Sequence, residues 1–323
     1  MHSRVRCSIL TVSLLLFLCT TLLAICPLSS AQQSPQSARS TRSISSLRFE
    51  AESGDATSQY QLAVAYLTND PAAPNYNSAL RWLRASASQG NPHAQFLLGY
   101  LYEHGEGTGR DYVKAVENYQ AAALQGHAAA ENNLAALYQT GRGVPKSRVK
   151  ALELYLDAAQ AGDFVAQCNL GLMYYRGQGT PRDYTLAAKW FRASAEHGDT
   201  QAEHNLGHLY YRGLGVPMDY REAARWQRLA AEQGDPFAQA DLAYLYQSGK
   251  GVALDYVTAY TWYSRAIAGG EKSAIPGRDS LSQIMTKRQL DEANASVVTE
   301  SYQPRQRPRT PKTAALALLE APF

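Results

Sequence analysis

Cysteine is scarce where it could matter. The chain of 323 residues has four cysteines, and Cys7, Cys19 and Cys26 all fall within the first 31 residues. Cys168 stands alone in the remainder, so an internal disulfide is excluded there and stability has to come from packing. An excess of charge is missing as well. Lys and Arg number 31 against 28 Asp and Glu, and Arg4 and Arg6 belong to the first segment. So even a balance excludes a general nucleic-acid or membrane-surface binder.

The first segment has the three parts of a secretory signal. These are basic Arg4 and Arg6, an apolar stretch from Ile9 to Ile25 and a small-residue site at Ser29-Ser30-Ala31. Residues 1–31 are therefore expected to be a signal peptide cleaved after Ala31, with the mature protein in the periplasm or secreted. The stretch also approaches spanning length, which leaves an uncleaved anchor as the alternative and as the only expected membrane contact. A lipoprotein is disfavoured because Ile25 precedes Cys26 where a lipobox needs a small residue. Residues 32–43, rich in Gln and Ser, are expected to be a disordered linker, and residues 300–323 a disordered Pro/Arg tail.

What is abundant is repetition. Gly54, Gly90, Gly126, Gly162, Gly198, Gly234 and Gly270 are 36 residues apart with nothing inserted or lost. In the same register run Leu62, Leu98, Leu134, Leu170, Leu206 and Leu242, and four residues later Tyr66, Tyr102, Tyr138, Tyr174, Tyr210 and Tyr246. Leu170, Gly171 and Tyr174 place large apolar groups on one stripe of a first helix, beside a residue that admits a neighbouring backbone. A loop such as Gly177-Gln178-Gly179-Thr180-Pro181 ends that helix. Asp183, Asp219 or Asp255 then caps a second helix, whose buried face is marked by Ala187, Ala223 and Ala259 and by Trp190, Trp226 and Trp262. One helical hairpin buries too little apolar surface to offset the roughly 1.5 kcal/mol of entropy lost per ordered residue, so the hairpins must stack.

The fold class expected is all-α: a right-handed superhelical α/α solenoid of six repeats over residues 55–270, with a capping helix at 44–54 and another at 271–299. Ala202, Leu206, Gly207, Tyr210, Gly213, Gly215, Val216, Asp219, Ala223, Trp226, Ala230, Ala231 and Gly234 together resemble the Sel-one-like repeat family, a relative of the tetratricopeptide repeat. The resemblance implies an adaptor that binds protein partners in complex assembly, envelope processes or signalling. Two units depart from the pattern. Asn69-Asp70-Pro71 replaces the first glycine loop, and the third unit has Ser147, Arg148 and Leu154 where Asp, Tyr and Trp are usual, so its second helix is expected to pack less tightly.

Catalytic and metal motifs are fragmentary. Ser147-Arg148-Val149-Lys150 fits S-x-x-K, and some cysteine-rich secreted members of the family are described as penicillin-binding. Yet Ser147 stands at the cap position, and neither S-D-N nor a complete K-T-G follows. The chain is therefore read as no enzyme, with a weak penicillin-directed or peptidoglycan-directed activity as the rival. His204 and His208 share a helix face but lack the glutamate of a metalloprotease helix, and read as surface histidines. No catalytic residue, metal site or cofactor is assigned.

Binding residues are sought where the repeat varies. If the first helices line the concave side, as in the tetratricopeptide relatives, the exposed columns lie two before, two after, and five and six after each leucine. They contain Phe96, Tyr100, Glu103, Asn132, Gln139, Leu172, Tyr175, Arg176, His204, His208, Tyr211, Arg212, Tyr244 and Gln247. Aromatic, amide and arginine groups mixed in this way suit a protein or peptide partner, including an acidic one, with no role for nucleic acid. A peptide or glycan sensor using the Tyr/Arg groove is the further alternative.

Overall fold

The computed structural model describes residues 44–68 and 74–299. The leader, the linker, the Asn69-Asp70-Pro71 loop and the Pro/Arg tail lie outside the described residues, as do the side chains of Val298 and Thr299. Among the described residues every regular element is helical. After α1 (Ile44–Glu52) come six hairpins: α2 (Ala56–Thr68) with α3 (Tyr76–Ser88), α4 (Pro92–His104) with α5 (Tyr112–Ala123), and α6 (Ala128–Thr140) with α7 (Arg148–Gln160). Then follow α8 (Phe164–Arg176) with α9 (Tyr184–Ala195), α10 (Thr200–Arg212) with α11 (Tyr220–Glu232), and α12 (Pro236–Ser248) with α13 (Tyr256–Ala268). Each helix packs on those next to it in sequence, which makes the chain an all-α solenoid. No helix among the described residues is long and apolar enough to cross a membrane.

The leucine and alanine columns are the core. Leu62, Leu170, Leu206 and Leu242 have no exposed surface, nor do Ala79, Ala115, Ala151, Ala187, Ala223 and Ala259. The tryptophans are less central than the sequence suggests: Trp226 is buried, but Trp190 and Trp262 are half-buried. The innermost group of the second helix comes one residue later, at Leu83, Tyr119, Tyr155, Phe191, Gln227 and Tyr263. It lies against a Gly or Ala of the first helix. A Cβ on Gly99 would stand 2.8 Å from the Tyr119 ring and one on Gly171 2.7 Å from the Phe191 ring, so at these two positions the ring rests on bare helix backbone.

Neighbouring units are joined by repeated polar contacts. Gln59, Gln95, Gln167 and Gln239 donate to the carbonyls of Ala51, Ala87, Ala159 and Ala231, at 3.1 to 3.3 Å. These carbonyls belong to the last turn of the preceding helix, where intrahelical donors run out. Arginines of second helices reach the tyrosine column of the next unit, with Arg84 donating to Tyr102 at 3.4 Å and Arg228 to Tyr246 at 2.7 Å.

The loops carry the stacking. Gly177 caps α8 in the left-handed region, and Gly179 (φ 75°) is pressed against the backbone of Arg148 and Val149 in the preceding unit. A side chain at Gly179 would be strained by φ and would strike backbone that cannot move aside.

The third second helix forms as expected, capped by Ser147, whose hydroxyl accepts the Lys150 amide at 3.3 Å. Beside Leu154, the stand-in for tryptophan, lies a cavity of about 340 Å³ lined by Leu134, Tyr138 and Asp157 among others. The hairpin of α6 and α7 nevertheless packs as closely as its neighbours, so the looser packing expected of that unit is not seen within the hairpin. The C-terminal closure differs from the single helix expected over 271–299. It is a 3-10 turn (Lys272–Ala274), then α14 (Ile275–Ile284) and α15 (Lys287–Thr299). The break comes at Thr286, whose hydroxyl accepts the Gln289 amide at 3.3 Å while the Gln289 carboxamide accepts the Thr286 amide at 2.9 Å, a capping box that starts a new helix.

Two expectations follow. Gly179→Ala should lower stability by at least about 3 kcal/mol, the sum of left-handed strain and overpacking. Gly198→Ala also has positive φ but no atom within 4 Å of the new Cβ, and should cost about 1 to 2 kcal/mol; equal losses in urea titrations would refute the contact argument. The second concerns His127, which caps α6 by accepting the Ala130 amide at 3.3 Å while its ring stacks on Phe96. Burial, with His93 adding to it, pushes its pKa down to about 4. A cap that accepts through Nδ1 must be neutral, so its contribution is full above the unfolded value near 6.5 and is lost as pH falls towards 4. His127→Asn, the residue type at Asn91, should flatten that decline, worth on the order of 2 to 3 kcal/mol, in melts between pH 7 and 4.

Candidate functional site

Of the expected exposed columns, part belongs to the core. Phe96, Tyr100, Asn132 and Cys168 are buried at 6, 5, 9 and 3 % exposure, which corrects the expectation that their columns face solvent. At about 100° per residue, the position two before each leucine is only some 60° round the helix from the small residue that faces the second helix. It falls in the seam with the next unit. Phe96 accordingly stacks on His127 at 4.6 Å, the Asn132 carboxamide oxygen accepts from Asn169 at 2.9 Å, and the Cys168 thiol points to Gln201. Tyr100 lies in stacked contact with His104 at 3.9 Å, and its pKa is pushed up to about 12 by burial and then by Glu106 and Glu103.

Glu103, Gln139 and Gln247 have a structural task. A tyrosine at the innermost position of the second helix carries a hydroxyl into the interior, and a buried hydroxyl needs a partner. Tyr119 donates to Glu103 at 2.8 Å, Tyr155 to Gln139 at 3.4 Å and Tyr263 to Gln247 at 2.8 Å. In the fourth and fifth units the innermost residues are Phe191 and Gln227, which have no hydroxyl, and the acceptor column changes to Tyr175 and Tyr211. The pairing sixteen residues apart is visible in the sequence once both columns are read together.

The side chains free of that task gather in the later units. Tyr175 meets Tyr184 edge-on at 5.4 Å and His208 at 6.4 Å. Tyr211 packs with Tyr220 at 5.4 Å and Tyr244 at 6.2 Å. Leu172 is half-buried, Tyr244 is 43 % exposed, and Arg176 and Arg212 are exposed. Lys250, from the sixth loop, places its ammonium 5.2 to 5.3 Å from the ring centres of Tyr211, Tyr220 and Tyr244, a cation held by three aromatic faces. Its hydrogen bond to the Tyr211 hydroxyl, 3.3 Å, holds the ammonium pKa above its ordinary range.

Between α10 and α12 this cluster encloses a cavity of about 250 Å³ lined by His208, Tyr211, Arg212, Gln227, Asp241 and Tyr244. Gln227 is the cause of its polarity. The other units put an apolar or aromatic side chain there; here an amide donates to Asp241 at 3.1 Å and its oxygen lies 3.2 Å from His204 Nδ1. The half-buried Asp241 has its carboxyl pKa raised by burial, an effect that His204 offsets in part, and burial lowers that of His208 so that it is neutral at neutral pH. His204 is thus a half-buried member of a polar network and His208 a half-buried residue of the cavity wall, so neither is a plain surface histidine. No group of three or more His, Cys, Asp or Glu among the described residues is arranged to hold a metal ion. Gln227, Asp241 and Lys250 were not among the expected site residues; the signal for two of them was Gln in a hydrophobic column and Lys between two loop glycines.

Comparison with known proteins agrees with this architecture. The Sel1 repeat model matches residues 56–91, 92–127, 128–163, 165–199, 200–235 and 236–271. No curated protein matches. Among solved structures, c5321 of uropathogenic Escherichia coli strains, a protective antigen displaying an SLR fold, is 32 % identical with a TM-score of 0.73 over 78 % of this chain and 54 % of its own. The chain thus spans about half of that protein. A Sel1 repeat protein from Oxalobacter formigenes is 31 % identical with a TM-score of 0.63, over 76 % of this chain and all of that one. With six matched units in the register of its glycines and two structural relatives above 30 % identity, the chain belongs to the Sel1 repeat family, whose solenoids generally serve protein–protein interaction.

Proposed function

We propose that the chain is an exported scaffold that holds a protein partner on the first-helix face of its fourth to sixth units, as an adaptor in an envelope or secreted complex. The observation that carries this reading is the cavity between Tyr211 and Tyr244. It is the size of a side chain, walled by aromatic rings, floored by the Gln227 amide and the Asp241 carboxylate, and rimmed by exposed Arg212 and by Lys250. Rigid aromatic anchors with an arginine beside them are the usual energetic centre of an interface. A partner side chain enters the cavity, and neighbouring carboxylates engage Arg212 and Arg176. Export is supported by Arg4, Arg6, the Ile9 to Ile25 stretch and Ala31 in the sequence. The Escherichia coli relative's description as a protective antigen suits a protein displayed outside the cytoplasm.

The binding claim is tested by immobilising residues 32–323, identifying the protein retained from the native envelope fraction, and titrating it calorimetrically. Arg212→Ala with Tyr244→Ala should weaken binding at least about tenfold, as loss of a hot-spot pair does, while the melting temperature falls only slightly, because Arg212 is exposed and Tyr244 lies at the rim of the core. Equal affinity for the double variant would remove the cavity from the account. The export claim is read by mass spectrometry: protein recovered outside the cytoplasm should begin at Gln32, and intact protein confined to the cytoplasm would contradict it.

A further inference from the structure

The even charge of the whole chain conceals a division between its two edges. The ends of the stack where second helices hand over to first helices bear Asp157, Asp163, Glu196, Asp199, Glu232 and Asp235. The opposite edge, made of the glycine loops, turns basic in the third and fourth units. Residues 138–150 contain Arg142, Lys146, Arg148 and Lys150 and no acidic residue, and the fourth loop adds Arg176 and Arg182. All six are exposed, and none of them has a carboxylate of the described residues within ion-pair distance. A few cations elsewhere are paired locally: Lys114 with the cap Asp111 at 3.0 Å, and Arg225 with Glu222 at 3.2 Å.

The third cap contributes to this. Four second helices start at an aspartate, Asp111, Asp183, Asp219 and Asp255, and α7 starts at Ser147. Serine satisfies the same amide but brings no charge, so Lys150 lies over the Tyr138 ring at 5.3 Å as its counterpart Lys114 does over Tyr102 at 5.4 Å, but without the carboxylate that pairs Lys114. The two basic loops touch, since Gly179 of the fourth sits on the backbone of Arg148 of the third, and Gln139 donates to Gln178 at 3.0 Å across the seam.

We infer that the glycine-loop edge of the third and fourth units, centred on Arg142, Lys146, Arg148 and Arg182, is a docking surface for an acidic, extended peptide segment. Equivalent positions of stacked units are about 10 Å apart, the spacing of packed helices, which is about three residues of extended chain; carboxylates at that interval meet successive cations. Val149, 55 % exposed between Arg148 and Lys150, offers an apolar contact that suits a peptide better than a phosphate backbone. The edge is bounded towards the later units, where Met218 and Leu254 stand at the position of Lys146 and Arg182, and in the second unit Arg110 is followed by the charged cap Asp111. The surface shares only Arg176 with the reading proposed above, and its central residues do not depend on the cavity of the fifth and sixth units.

The test uses residues 32–323 and a fluorescein-labelled octapeptide with glutamate at every third position and leucine between, followed by anisotropy at 50 and 300 mM NaCl. A labelled oligothymidylate of eight nucleotides is the competitor class. The peptide should bind at low salt and be released at high salt. Lys146→Leu with Arg182→Met should weaken it at least about tenfold; Met218 and Leu254 occupy these positions in later units, so folding is not at issue. Ser147→Asp, which restores the usual cap charge, should weaken it about two- to fivefold without lowering the melting temperature. Peptide affinity indifferent to all three substitutions would overturn the proposal, and so would tighter binding of the oligothymidylate with the same dependence on them.

Discussion

The structure depends on one contact, the seating of a second-helix side chain on the bare backbone of the first helix. Where Tyr119 lies on Gly99 and Phe191 on Gly171, there is no room for a Cβ, so helix separation within the hairpin is set by a ring against peptide groups. Close-packed interiors transmit such a constraint instead of absorbing it. The leucine and alanine columns then pack into the core, and the glycine loop can bring the next unit down onto the previous helix end. A repeat array is stable as the sum of such units and their interfaces. A glycine or alanine at this position in all six units keeps the approach close enough for them to stack without an insertion.

The same contact decides which surface positions are available. A tyrosine seated in the hairpin needs an acceptor, and Glu103, Gln139 and Gln247 supply it from the first-helix face. Substituting phenylalanine or glutamine at the seat releases the acceptor position, and two tyrosines occupy it. The aromatic cluster of the later units is therefore a consequence of an interior change, and Gln227 adds a second one by admitting a polar network and a cavity where the core would otherwise close. Burying an amide in an apolar column is unfavourable unless it is hydrogen-bonded; Asp241 and His204 provide the partners, and the site is built around that requirement.

Charge obeys a similar logic at the loops. Aspartate and serine are comparable as helix caps because each offers one oxygen to the same amide, but only aspartate brings a charge that a following cation can pair with, as Lys114 does with Asp111. The fold tolerates the exchange at Ser147 while the electrostatics of the edge do not stay the same. A near-zero net charge excludes a uniformly basic surface and is silent about segregation.

Much of this architecture could be read from spacing alone. A 36-residue period with glycine, leucine, alanine and aspartate in register dictates helix, loop, cap and stack, since each of those residue types acts locally: glycine through φ, aspartate through the nearest amides, leucine through periodicity. The capping role of Ser147 was legible for the same reason. What the sequence could not settle was which variable column points outwards. Phe96 and Asn132 vary as a binding surface does, yet they lie in the seam, because a position's exposure depends on the neighbouring unit as well as on its own helix. Nor could spacing reveal that Lys250 would rest among three rings drawn from three helices, or that a glutamine in a core column would join a histidine and an aspartate from two adjacent units. Local chemistry determined the repeat; only the approach of one repeat to the next decided the site.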